Sequence, residues 1–173
     1  MRNEFEIFNL SPSFDVDLEL LNKRYRELQQ QHHPDNFANQ NPAIYNEALQ
    51  ISALINSSYI TLKSPLLRSQ CLLRLSDVEL DLSHDTQLPM SFIMLQMETH
   101  EAIADAKQAK DIASLENIER EIKQQQNQLI TQLAHEFSVK NLVVAKELTK
   151  QLSFCDKLLA NIGEVINNLI VAN

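Results

Sequence analysis

The stretch "QQQHHPDNFANQNP", residues 29–42, gathers two imidazoles, a carboxylate and a proline into one break in the chain. Three chemistries use such residues. His32, His33 and Asp35 are metal-ligand types, His33 and Asp35 are general acid–base types, and an exposed His-Pro-Asp turn is a surface that another protein can read. Metal ligation on a helix favours histidines at i and i+4, whereas the neighbours His32 and His33 point apart and Asp35 lies beyond a proline. His84, His100 and His135 have no spacing that brings them to the same place. An acid–base pair needs a substrate pocket, and this polar break gives no sign of one and no nucleophile nearby. The plainest role is termination: Pro34 disfavours helical geometry at His33, and the aspartate and asparagines suit a turn.

The flanking segments must position those side chains, and both read as amphipathic helices. Ahead of the break, Asp15 and Asp17 suit a helix start, where carboxylates meet free N–H groups and the positive end of the dipole. Leu18, Leu21, Tyr25 and Leu28 then recur at spacings of three and four, with Lys23, Arg24 and Arg26 on the other side. After the break, Asn41-Pro42 reads as a cap and first turn, and Ile44, Ala48, Ile51, Ile55, Tyr59 and Leu62 continue the period. A short loop between two such helices makes an antiparallel pair. Phe5, Ile7, Phe8 and Leu10 form an apolar segment before them, and Ser64-Pro65 opens a further helix through Leu66, Leu67, Cys71 and Leu75.

A polar stretch follows, and beyond it three more helices are expected, with breaks near Lys110-Asp111 and Phe137-Ser138, Ser138 serving as an N-cap. The last helix carries a bundle seam through Ala145, Leu148, Leu152, Cys155, Leu159, Ile162, Ile166 and Leu169. The boundaries are therefore 1–76 for a first domain, 77–88 for a linker and 89–173 for a second.

Composition agrees with an all-α chain. Apolar residues make up 44% and charged residues 22%, and a single glycine cannot supply the tight turns of a β-rich fold. The net charge of −8 opposes general nucleic-acid binding. No apolar run reaches membrane-spanning length and no charged-then-apolar leader is present, so a cytoplasmic protein without membrane contact is expected. Cys71 and Cys155 both fall in apolar helical patterns, as buried reduced thiols do, and the sequence calls for no cofactor.

A basic amphipathic helix, the tripeptide His33-Pro34-Asp35 and an antiparallel partner helix resemble a J-domain, the module with which DnaJ-like co-chaperones stimulate a DnaK-type ATPase. The likeness extends along the chain. "FEIFNLSPSFDVD", "YRELQQQHHPDNF", "QISALINSSYITLKSPLLRSQCLL", "FIMLQMETHEAI" and "LSFCDKL" are similar to the HscB family, the J-type co-chaperones of iron–sulfur cluster assembly. The resemblance implies an N-terminal J-domain, a C-terminal three-helix bundle and no enzymatic activity of its own. It implies two partners: an HscA-type ATPase at the J-domain and an IscU-type scaffold protein at the bundle. By position, His33, Pro34 and Asp35 would trigger hydrolysis, and Lys23, Arg24 and Arg26 would meet an acidic surface of the ATPase. Asn36 departs from the lysine common after the tripeptide, removing one positive charge.

The expected scaffold site has a pattern of its own. On a helical wheel, Phe92, Leu95, Thr99, Ala102, Ile103 and Ala106 share one side, assigned to the bundle core. Ile93, Met94 and Met97 lie roughly opposite, with Glu98 and Glu101 beside or between them, and Phe154 turns away from the seam of the last helix. Apolar residues off a core face, methionines above all, suit a partner surface. The alternatives are packing of that face against the first domain, a J-protein for another client, and a small metal-dependent hydrolase using His32, His33 and Asp35.

Overall fold

The computed structural model describes residues 3–80 and 89–171. The regular elements among these residues are all helical: α1 Glu4–Ile7, α2 Leu18–His32, a 3-10 turn Pro34–Phe37, α3 Pro42–Lys63, α4 Pro65–Leu75, α5 Met90–Gln108, α6 Ile112–Ser138 and α7 Leu142–Val171. They divide into two compact units, Met1–Val78 and Glu79–Asn173. Most of the linker expected at 77–88, and His84 within it, lie outside the described residues.

In the first unit the helices begin as the sequence indicates. Asp17 caps α2 by accepting the N–H groups of Glu19 and Leu20, both at 3.0 Å. Asn41 and Ser64 cap α3 and α4, each with proline in the first turn. The α2–α3 interface combines packing with a polar ladder. Tyr25 and Tyr59 stack with centroids 4.0 Å apart. Tyr59 Oη donates to Asn22 Oδ1 at 2.7 Å, while Tyr25 Oη and Gln29 Nε2 both donate to Asn56 Oδ1, at 2.9 and 2.6 Å. That ladder fixes the antiparallel register and carries the turn at residues 33–41 on a firm base. Phe5, Phe8, Phe14, Leu21, Ile55, Leu62 and Leu73 fill the core.

Three stripe residues prove to be peripheral. Leu18, Ile44 and Leu75 are exposed, whereas α4 buries Arg68, Ser69, Cys71, Leu72 and Leu73. Each outlier sits at or near a helix end.

Four helices end in a left-handed residue that is not glycine: Asn9, Asp77, Lys110 and Lys140, at φ 51, 56, 54 and 56°. Each end has the paired hydrogen bonds of a Schellman motif; after α5, Lys110 N–H donates to Lys107 O at 3.1 Å and Asp111 N–H to Ala106 O at 2.9 Å. The expectation that Ser138 caps α7 is corrected. Ser138 is the last residue of α6, its hydroxyl donates back to His135 O at 2.7 Å, and the turn is made by residues 139–141.

In the second unit α6 and α7 form a long antiparallel pair, with Gln126 Nε2 donating to Asp156 Oδ1 across it at 2.6 Å. Helix α5 packs on α6 and reaches α7 through Phe92 and Phe154. The α7 seam is close to the expected one, with Ala145, Leu148, Leu152, Cys155 and Ile162 buried. Further along, however, Leu158 and Val165 are buried in place of Leu159, Ile166 and Leu169, which are only partly covered. The buried stripe winds towards the side bearing Phe154, the side that α5 approaches.

Candidate functional site

The turn after α2 begins where Pro34 forces His33 out of helical geometry, at φ −63° and ψ 131°. His33 becomes the cap of the 3-10 turn. Its Nδ1 accepts the Asp35 N–H at 3.3 Å and stands 3.4 Å from Asp35 Oδ2. One nitrogen cannot serve both contacts. Unprotonated, Nδ1 accepts from the backbone; carrying a proton, it donates to the carboxylate. Both side chains face solvent, His33 52% and Asp35 86% exposed, so the pair is presented rather than enclosed.

Asn36 has a local task. Its Nδ2 donates to Gln30 O at 2.8 Å, satisfying one of the free carbonyls that end α2. The residue in the usual lysine position thus ties the loop to its helix.

Helical spacing places Lys23, Arg26 and Gln30 on one stripe that leads to His33. Lys23 and Arg26 are exposed. Arg24 is half-buried and turns elsewhere: its guanidinium donates to the carbonyls of Phe8 and Asn9, holding the end of α1 against α2. Of the three expected basic residues, two stand open on the stripe that leads to the tripeptide and the third is a clamp.

No three histidine, cysteine, aspartate or glutamate side chains converge as metal ligands among the described residues, and His32 is part-covered in the last turn of α2.

The second site is on α5. Phe92, Ile103 and Ala106 are buried against the bundle, with Thr99 and Gln96 partly covered. Leu95 and Ala102, expected in that core, are exposed. The core arc is centred closer to Gln96, because the ring of Phe154 from α7 covers that flank. It meets Phe92 and His100 edge-on, at centroid distances of 5.6 and 5.7 Å.

The opposite face is open. Met94 is 56% and Met97 68% exposed, Ile93 is half-buried beside them, and Glu98 and Glu101 are exposed. Phe154, also half-buried, borders this face rather than sinking into the core. Met90, one turn earlier and 71% exposed, extends the apolar surface. Met90 was legible in the sequence, since 90, 94 and 97 keep the four-and-three spacing of one face.

A His-Pro-Asp turn between antiparallel helices, followed on the same chain by a helical bundle with an open apolar stripe, defines a co-chaperone with a J-like domain. Residues 88–163 match the family described as the HSCB C-terminal oligomerisation domain. Across 166 residues the chain is 34% identical to a co-chaperone protein HscB homolog of Neisseria meningitidis, covering 96% of this chain and all of that one. Chaperone HscB from Vibrio cholerae superposes with a TM-score of 0.85 at 31% identity, covering 97% of this chain and 99% of the other. Human co-chaperone protein HscB gives 0.88 at 28% identity, covering 94% and 81%. The chain belongs to the HscB family of co-chaperones.

Proposed function

We propose that this co-chaperone is a two-ended adaptor in the maturation of iron–sulfur proteins, working in the cytoplasm. One end, residues 1–76, is a J-domain that meets an HscA-type, DnaK-like ATPase through His33, Pro34 and Asp35, with Lys23 and Arg26 as the basic face and Arg24 holding α1 against α2. Residues 77–88 link it to the bundle, residues 89–173, which holds an IscU-type scaffold through Ile93, Met94, Met97, Glu98, Glu101 and Phe154. The observation that carries this reading is the open methionine stripe on α5, which follows on one chain from an exposed His-Pro-Asp turn. A large apolar face left uncovered on a water-facing helix favours a protein partner.

The adaptor has no chemistry of its own and needs no metal or cofactor. Holding both partners on one chain raises the scaffold's local concentration at the ATPase to about the millimolar range, as short tethers do. His33 acts through hydrogen bonding and Asp35 by pairing with a cation of the ATPase. Hydrolysis then takes place in the partner, shifting it to the form that grips the scaffold and favours cluster release.

Steady-state ATP hydrolysis by an HscA-type chaperone, with this protein and the scaffold added singly and together, tests the reading. Synergistic stimulation is expected. It should vanish with His33→Gln and weaken with Met97→Ala combined with Phe154→Ala. Intact synergy in an Asp35→Asn variant would refute the role given to the tripeptide.

A further inference from the structure

The sequence has 4 methionines, and Met90, Met94 and Met97 are three of them. Their spacing of four and then three puts them on one stripe of α5, where they are 71, 56 and 68% exposed. No thioether of the three is part of the buried core, which α5 builds from Phe92, Ile103 and Ala106. The thiols offer a contrast. Cys71 and Cys155 are both buried. Burial pushes each up to about 11, helped by the Glu4 hydrogen bond at Cys71 and by the nearby Asp156 charge at Cys155. At neutral pH only about one thiol in ten thousand of that kind is the reactive thiolate. Among the described residues, the accessible reduced sulfur is therefore concentrated on the face that the proposed scaffold contact uses.

We infer that Met90, Met94 and Met97 are a reversible oxidation site, and that a hydroperoxide releases the scaffold by converting this face to sulfoxides. The inference rests on the docking role proposed above for Met94 and Met97. In each reaction a sulfur lone pair attacks one peroxide oxygen. The O–O bond breaks, an S–O bond forms, and the transferred oxygen gives up its proton to the departing oxygen, which leaves as water from hydrogen peroxide or as an alcohol from an alkyl hydroperoxide. Sulfur loses two electrons and the peroxide gains them. The product is a polar side chain with a strong hydrogen-bond acceptor, which an apolar contact cannot bury without penalty. Because all three side chains point to solvent, α5 and its packing survive the change. Methionine sulfoxide reductases, drawing electrons from a thiol, restore the thioethers.

The test uses the whole protein and a purified IscU-type scaffold. Calorimetry measures affinity before treatment with hydrogen peroxide, after it, and after incubation with sulfoxide reductases of both stereospecificities. Mass spectrometry counts the oxygen added at each methionine, and circular dichroism follows the helices. The expected result is sulfoxide at 90, 94 and 97 with unchanged helicity, a loss of affinity of about tenfold or more, and recovery on reduction. In a variant with M90L, M94L and M97L, peroxide should change affinity less than about twofold from that variant's own starting value, because leucine offers no sulfur. Undiminished binding by wild-type protein carrying all three sulfoxides, or an equal loss in the leucine variant, would overturn the inference. Failure of the untreated protein to bind the scaffold would instead overturn the docking role, and the inference with it.

Discussion

Arg24, Asn36 and Arg68 each donate to carbonyl groups that helix ends or loops leave unpaired. Arg68 is the strongest case. It is 6% exposed, and its guanidinium donates to Leu62 O at 2.7 Å, to Phe14 O and to Lys63 O, with the Phe14 ring 5.4 Å away. Burial lowers its affinity for the proton, the charge of Asp15 opposing the effect. Arg68→Met keeps much of the stem but leaves buried acceptors empty, so it should cost about 3 kcal/mol in urea unfolding. Asp156 works in the opposite sense. Burial raises its carboxyl above the ordinary range, outweighing the Gln126 hydrogen bond that lowers it. A raised carboxylate favours the protonated native state, so the ionised group weakens the fold at neutral pH. Asp156→Asn keeps an acceptor for Gln126 and should raise Tm near pH 7. That gain should shrink as pH falls from above the ordinary carboxylate range, where native wild-type Asp156 takes up its proton, down into that range; a gain independent of pH would refute the assignment.

Helix ends set the organisation at the level of elements. The chain contains 1 glycine, Gly163, which lies inside α7, so the left-handed positions after α1, α4, α5 and α6 fall to Asn9, Asp77, Lys110 and Lys140. Asparagine and aspartate accept that geometry readily, whereas lysine is strained there. Lys110→Gly should therefore stabilise the bundle by about 1 kcal/mol, read as a rise in the thermal midpoint with α5 and α6 unchanged. This also explains how a glycine-poor sequence can build a many-helix fold. The few turns are made by Schellman bonding and by proline and asparagine at helix starts. Ser138 misleads on this point, because a serine beside a break looks like an N-cap, while its hydroxyl in fact returns to the preceding turn.

For the whole molecule, the two ends should respond differently to salt. Lys23 and Arg26 make a charged contact in the proposed ATPase complex, whereas the α5 stripe makes an apolar one. Raising salt from about 0.05 to 0.5 M should weaken stimulation of the ATPase several-fold while leaving scaffold affinity within about twofold; equal losses at both ends would refute this division of forces. The order of helices, the placement of His33, Pro34 and Asp35 at a break, the buried cysteines and the off-core position of Met94 and Met97 were all legible in the sequence. Each depends on local propensity or on the angle between residues of one helix, and those are set within a few turns. Other features came only from the tertiary structure. Arg24 is drawn to the carbonyls of Phe8 and Asn9, Arg68 bonds a carbonyl 54 residues away, and Leu95 lies outside the core while Leu158 and Val165 enter it. A helical period gives the order of side chains around an axis, but the centre of the buried arc is chosen by whichever neighbour packs there. Partners distant in sequence, such as Phe154 beside α5, meet only once the chain has folded.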